Sequence, residues 1–113
     1  MKPLLLKNFT ATSCIGKGAA ATLESLRKQR SGLKNCDFET VDIETHIGEV
    51  PGVDEARLPD NLYKFECRNN RLAELALQQD GFFEAVQQAA SRIGRRRIGV
   101  FLGTSTAAAG RYA

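Results

Sequence analysis

The sequence predicts an α/β protein in which a parallel sheet is covered by helical crossovers. Two segments, residues 3–9 (PLLLKNF) and 98–102 (IGVFL), are apolar over most of the length of a buried strand. The residues between them contain apolar side chains at helical spacing, and strands that are joined through helices lie parallel in covered sheets. A chain of 113 residues with 42% hydrophobic and 26% charged residues has the composition of one small globular domain.

The first strand and the first helix are separated by small and polar residues. The strand, residues 3–9, is followed by TATSCIGKG, a composition that is typical of a loop. Apolar side chains then recur at helical spacing, which predicts a first helix over about residues 18–30. Ser31 and Gly32 supply its C-terminal stop.

An acidic excursion follows at about residues 37–60. This segment carries a formal charge of −7, whereas residues 1–36 carry +6 and residues 61–113 carry +4. Weak alternation of apolar and polar residues over 38–43 predicts one short strand, and the prolines and polar residues after it predict an irregular loop.

Two further helices are predicted before the second strand. The first covers residues 65–79 and is ended by Asp80 and Gly81. The next is an amphipathic segment over residues 82–93 that Gly94 stops. We expect two separate helices because a glycine within one long helix would cost about 1 kcal/mol. Arg95, Arg96 and Arg97 then lead into the strand over 98–102.

The composition excludes several classes of protein. Three cysteines without metal-ligand spacing disfavour a disulfide framework and a zinc site. No apolar run approaches the roughly 18 residues of a membrane span, and the stretch Leu4–Leu6 is too short for a signal peptide. We therefore expect a cytoplasmic protein that binds no metal, cofactor or membrane.

Four stretches, in order, are similar to the N-terminal region of the β-ketoacyl-acyl carrier protein synthases, which have the thiolase fold. These stretches are PLLLKNFTATSCIG, ATLESLRKQRSGL, FECRNNRLAELALQQDGF and RRRIGVFLGTST. The resemblance implies that residues 1–113 are an N-terminal fragment of such a domain, with the acidic excursion at about 37–60. It thus implies a partial thiolase-like fold, comprising the first strands and helices of the N-terminal half.

The resemblance also implies an activity in fatty acid or polyketide biosynthesis. Enzymes of this family are acyltransferases that condense an acyl thioester with malonyl-acyl carrier protein, using a cysteine and usually two histidines. A helix N-terminus favours the cysteine thiolate, and the histidines polarise the malonyl carbonyl. His46 is the one histidine of this chain, so the Cys-His-His site cannot be assembled from it. No residue is assigned a catalytic role, and we expect the chain alone to be inactive.

The family likeness assigns three residues to binding. A pair of basic residues before the second helix docks the acyl carrier protein in the family; Lys64 matches one position, and Asn61 stands near the other. Arg68 is a further basic candidate on the same approach. Thr106 matches a residue that helps to gate the acyl pocket, although a turn chosen for its backbone conformation explains residues 103–106 equally well. The family also dimerises, either with itself or with a related subunit.

Two other functions remain open. A non-catalytic chain-length-factor-type partner subunit would share the fold and lack the reactive cysteine. A free-standing basic α/β module would instead use Arg92, Arg95, Arg96 and Arg97 to hold an acidic protein or a nucleic acid. The absence of interleaved aromatic residues disfavours nucleic acid, and a solvated turn is the simplest account of these arginines.

Other candidate sites have simpler explanations in the sequence. Cys14, Cys36 and Cys67 are each expected to be small packed residues, since free cysteine is readily buried. The stretch GKGAAAT lacks the spacing of a phosphate-binding loop. His46 has carboxylates nearby in the sequence that suit a cation, but it is expected to be a solvated loop residue.

Overall fold

The computed structural model describes residues 3–38, 40 and 42–103, which contain three α-helices and two short hairpins. Both sheets among these residues are two-stranded and antiparallel. The predicted α/β architecture, with a parallel sheet of the partial thiolase-like kind, is therefore wrong for this part of the chain. None of the helices described is long and apolar enough to cross a lipid bilayer.

The first hairpin packs directly against the first helix. Strands β1 (Thr12–Ser13) and β2 (Gly16–Lys17) are joined by a two-residue turn, and helix α1 spans Ala19–Arg27. The buried Ser25 hydroxyl of α1 donates a hydrogen bond to the carbonyl oxygen of Ile15 in the turn, at 2.6 Å. Helix α1 ends three residues earlier than predicted, because Gln29 adopts a left-handed conformation with φ of 51°.

The second hairpin brackets the start of the acidic excursion. Strand β3 (Leu33–Asn35) pairs with β4 (His46–Gly48), and the Cys36 amide extends the ladder by donating to the Thr45 carbonyl at 2.8 Å. None of the described residues among 38–43 lies in a strand. At the described positions the predicted strand is wrong, because pairing across the hairpin selects the residues on either side of the segment; residues 39 and 41 lie outside the described residues.

The C-terminal half is helical, as predicted, with one change at its start. A 3₁₀ turn over Asp60–Phe65 precedes helix α2 (Arg68–Leu77), which begins three residues later than expected. Helix α3 covers Phe82–Ile93, and Gly94 is its C-cap. The predicted separation of α2 from α3 is confirmed: Asp80 and Gly81 both have positive φ angles, which interrupt the helix.

Most large apolar side chains in the described residues are exposed. Val53, with 3% of its surface accessible, is the one hydrophobic residue classed as buried among them. Leu4, Leu5 and Leu6 are at least 76% exposed, and Phe101 is 97% exposed. The strands predicted at 3–9 and 98–102 do not form, because neither segment has a neighbouring strand to satisfy its backbone.

The Asp80 carboxylate connects the turn between α2 and α3 to the beginning of α1. One of its oxygens accepts hydrogen bonds from the Ala19 amide and from the Thr10 hydroxyl, each at 2.8 Å. Gly18, with φ of 87°, allows this approach: a Cβ there would lie 3.0 Å from the Asp80 Oδ1 atom. The carboxylate thus caps α1, where unpaired amides and the helix dipole favour a negative charge.

We predict that Asp80→Ala destabilises the chain by about 1 kcal/mol, the usual cost of losing a helix cap. The substitution also places a non-polar side chain at a positive φ angle. Urea unfolding followed by far-UV circular dichroism measures the change. Glu55→Ala is the control, because Glu55 makes no side-chain hydrogen bond or ion pair to the residues that the structure describes. Equal midpoints for the two variants would contradict the capping role.

Candidate functional site

The best-defined polar site lies between the second hairpin and α2. Lys34 on β3 contacts two carboxylates, Glu49 at 2.7 Å and Asp37 at 2.8 Å. Arg68, the first residue of α2, contacts Asp54 at 2.8 Å and Glu49 at 3.3 Å. We call these five residues the ion-pair cluster. Glu49 joins its two halves, so the acidic excursion is attached to both the hairpin and the helix.

A small cleft adjoins the ion-pair cluster. Its volume is about 120 Å³, and Val53 lies among its lining residues together with Phe38, Ile47, Val50 and Leu72. The Arg68 guanidinium stands 5.7 Å from the centroid of the Phe38 ring, in the range of a cation–π contact. A ligand of metabolite size needs about 300 Å³ or more. The cleft is therefore a small packing depression and not a substrate pocket.

The ion-pair cluster shifts the pKa values of its members. The hydrogen bond from Lys34 is the main cause that lowers the pKa of Asp37, and it also lowers the pKa of Glu49. Arg68 adds a smaller lowering at Glu49. The same hydrogen bonds from Asp37 and Glu49 raise the pKa of Lys34. All three groups are thus charged throughout the neutral range, which suits ion pairing and does not suit proton transfer.

A second ion pair fixes the approach to α2. The Arg71 guanidinium donates to the Glu66 carboxylate, which also accepts from the Leu58 amide at 3.3 Å. The hydrogen bond from Arg71 is the main cause that lowers the pKa of Glu66. Glu66 lies directly after the 3₁₀ turn that carries Lys64, and its ion pair with Arg71 connects the end of that turn to α2.

The two residues predicted to bind a carrier protein have different surroundings. Lys64 is exposed, and its ammonium lies 5.0 Å from the centroid of the Phe65 ring. It forms no salt bridge within residues 3–38, 40 and 42–103. Arg68, in contrast, is occupied by Glu49 and Asp54. Lys64 is therefore available to bind a partner, whereas Arg68 could bind one only after its ion pairs with Glu49 and Asp54 had broken. Thr106 lies outside the described residues.

The partners of Arg68 were not found by sequence reasoning. The charge of the acidic excursion identifies the segment, but nothing in its sequence indicates that Glu49 and Asp54 pair with a residue at the start of α2. These contacts join residues 14 and 19 positions apart, and helical or strand periodicity carries no information at that range.

The structure gives packing or solvent exposure as the explanation for the remaining candidate residues. Cys14, Cys36 and Cys67 are free and half-buried, and a Cβ at Gly48 would lie 2.7 Å from the Cys14 sulfur. The amide of Ala19, which a phosphate at the GKGAAAT stretch would need, donates to Asp80. His46 is an exposed residue of β4, and the described residues contain no group of three metal-ligating side chains.

No known protein family, curated protein or solved structure shows significant similarity to this chain. The geometry of its own residues therefore has to support any functional assignment.

We predict that the ion-pair cluster stays intact in mild acid. Because the pKa values of Asp37 and Glu49 are lowered on folding, their contribution to stability is complete above the ordinary carboxyl pKa of about 4. It is lost as the pH falls through the lowered folded values. NMR titration of the side-chain carboxyl carbons measures both pKa values directly.

Lys34→Met identifies the cause of these shifts. The pKa of Asp37 is expected to return toward about 4, whereas Glu49 keeps the smaller lowering caused by Arg68. Lys28→Met is the matched control, because Lys28 pairs with Glu24 on α1, outside the cluster. Unchanged titration of Asp37 in Lys34→Met would show that Lys34 does not set its pKa.

Proposed function

We propose that this chain is part of a cytoplasmic β-ketoacyl-acyl carrier protein synthase, which condenses an acyl thioester with malonyl-acyl carrier protein. The four ordered stretches described above are the starting point for this assignment. Its structural support is the unusual exposure of apolar side chains at the two segments that the family likeness places inside a larger protein.

The exposed apolar segments are the observation that carries the proposal. Leu4–Leu6 and Val100–Leu102 are each at least 76% exposed, and Phe9 is 62% exposed. Large exposed apolar patches on monomeric proteins usually mark surfaces that contact another protein, a membrane or a ligand. Additional polypeptide of a synthase, or its partner subunit, would bury these side chains.

Within such an enzyme, this chain supplies surface and not the reacting groups. The reaction transfers an acyl group from its carrier thioester to a cysteine thiolate, which forms a cysteine thioester and releases the carrier thiol. Loss of carbon dioxide from the malonyl group then generates a carbanion that attacks the cysteine thioester and expels the cysteine thiolate. His46 is exposed on β4, and Cys14 is packed against glycines, so neither supplies this chemistry. The cysteine and the carbonyl-polarising donors come from other polypeptide.

Lys64 is the residue that best fits carrier-protein docking. Carrier proteins are acidic, and an exposed ammonium that pairs with no carboxylate among the described residues can pair with them at little desolvation cost. The neighbouring Arg71–Glu66 pair stabilises the turn that presents Lys64. Arg68 contributes to this surface indirectly, because its ion pairs connect the start of α2 to the acidic excursion.

We predict that Lys64→Ala weakens the binding of a labelled acyl carrier protein by about threefold at low salt, the effect of one exposed ion pair. Fluorescence anisotropy measures the dissociation constant. Lys28→Ala removes the same charge from the C-cap of α1 and is expected to bind as the unmodified chain does. Binding that is lost equally in both variants would indicate a response to net charge, and no binding by the unmodified chain would refute the proposed function.

We also predict that Phe101→Ser leaves the urea midpoint of this chain unchanged and reduces its binding of the apolar dye ANS. The reason is that the Phe101 side chain is 97% exposed. Val53→Ser is the comparison: it alters a buried side chain and is expected to cost about 1–3 kcal/mol. If Phe101→Ser destabilised the chain as much as Val53→Ser does, Phe101 would be covered within the chain, and the main support for the proposal would be lost.

A further inference from the structure

The end of α3 carries a dense group of positive charges. Arg92 lies in the last turn of the helix, and a 3₁₀ turn over Arg95–Arg97 follows Gly94. All four arginines are exposed, and Lys7 lines the same shallow surface groove as Arg92. We refer to Arg92, Arg95, Arg96 and Arg97 as the arginine cluster.

The interactions seen in the described part of the chain do not explain the arginine cluster. Five other basic residues form ion pairs there: Lys28, Arg30, Lys34, Arg68 and Arg71. No member of the arginine cluster does so within the same ranges. The dipole of α3 favours a positive charge in its last turn, which accounts for Arg92. Arg95–Arg97 lie beyond Gly94, where φ of 89° turns the chain away from helical geometry.

We propose that the arginine cluster is a second docking surface for the acidic acyl carrier protein, separate from Lys64. This inference rests on the proposed function. Charge complementarity is the argument for this occupant: four guanidinium groups within six residues create a positive field that accelerates encounter with an acidic surface. Arginine also forms bidentate hydrogen bonds with carboxylates, so the same groups hold the partner once it has arrived.

A protein partner fits the cluster better than a nucleic acid. The chain as a whole carries only +3, and the segment over residues 37–60 carries −7, which repels a long polyanion. A compact acidic surface can contact the cluster alone.

The test compares two triple variants of the full chain that have the same net charge. Arg95, Arg96 and Arg97 are changed to Gln in one variant; Arg27, Lys28 and Arg30 on and beside α1 are changed to Gln in the other. Fluorescence anisotropy with a labelled acyl carrier protein is measured at low and at high salt. The cluster variant is expected to bind about tenfold more weakly at low salt and to show a shallower salt dependence, whereas the α1 variant changes by less than about twofold.

Three further results decide the outcome. The triple variant Arg95→Lys, Arg96→Lys, Arg97→Lys keeps the charge, and binding within about threefold of the unmodified chain supports an electrostatic surface. Equal weakening by the two Gln variants, or tighter binding of a labelled oligonucleotide than of the carrier protein, overturns the inference. Loss of binding in Lys64→Ala but not in the cluster variant overturns the inference and leaves the proposed function intact. Failure of the unmodified chain to bind the carrier protein overturns both.

Discussion

The Asp80 carboxylate is the contact on which the arrangement of the two halves depends. It joins residues 61 and 70 positions away in the sequence, and it does so at the end of a helix where unpaired amides favour a negative charge. Two positive φ angles, at Gly18 and at Asp80 itself, allow the approach. Because Val53 is the one buried hydrophobic residue in the described chain, polar contacts of this kind, and not a hydrophobic core, determine the arrangement.

The ion-pair cluster plays the corresponding role for the second hairpin. Glu49 contacts both Lys34 and Arg68, so the carboxylate of the residue directly after β4 connects the end of that strand to β3 and to α2. Each exposed ion pair contributes little to stability, because solvent screens it. The stability of a chain that depends on exposed ion pairs increases most when further protein surface covers its apolar side chains. The exposure of Leu4–Leu6 and Val100–Leu102 is consistent with that requirement.

The sequence predicted the helices better than the strands, for a physical reason. Helical hydrogen bonds are local, so periodicity and the Asp80-Gly81 and Gly94 signals located α3 and its boundaries correctly. A strand forms only when it pairs with another strand, and an apolar run in the sequence does not identify that partner. Segments 3–9 and 98–102 have the composition of buried strands but are unpaired in the structure, so the predicted strands are wrong. The same limit applies to the site. Lysine side chains are mostly exposed, and Lys64 is no exception, whereas the pairing of Arg68 depends on the approach of a distant loop.

The contact between Cys14 and Gly48 links two positions that are distant in the sequence. The sulfur occupies the space that a side chain at position 48 would need, since a Cβ there would come within 2.7 Å of it. The volumes at the two positions are therefore constrained jointly. Evolution of this chain is expected to enlarge residue 48 only after residue 14 has become smaller, so that the two positions covary as a pair.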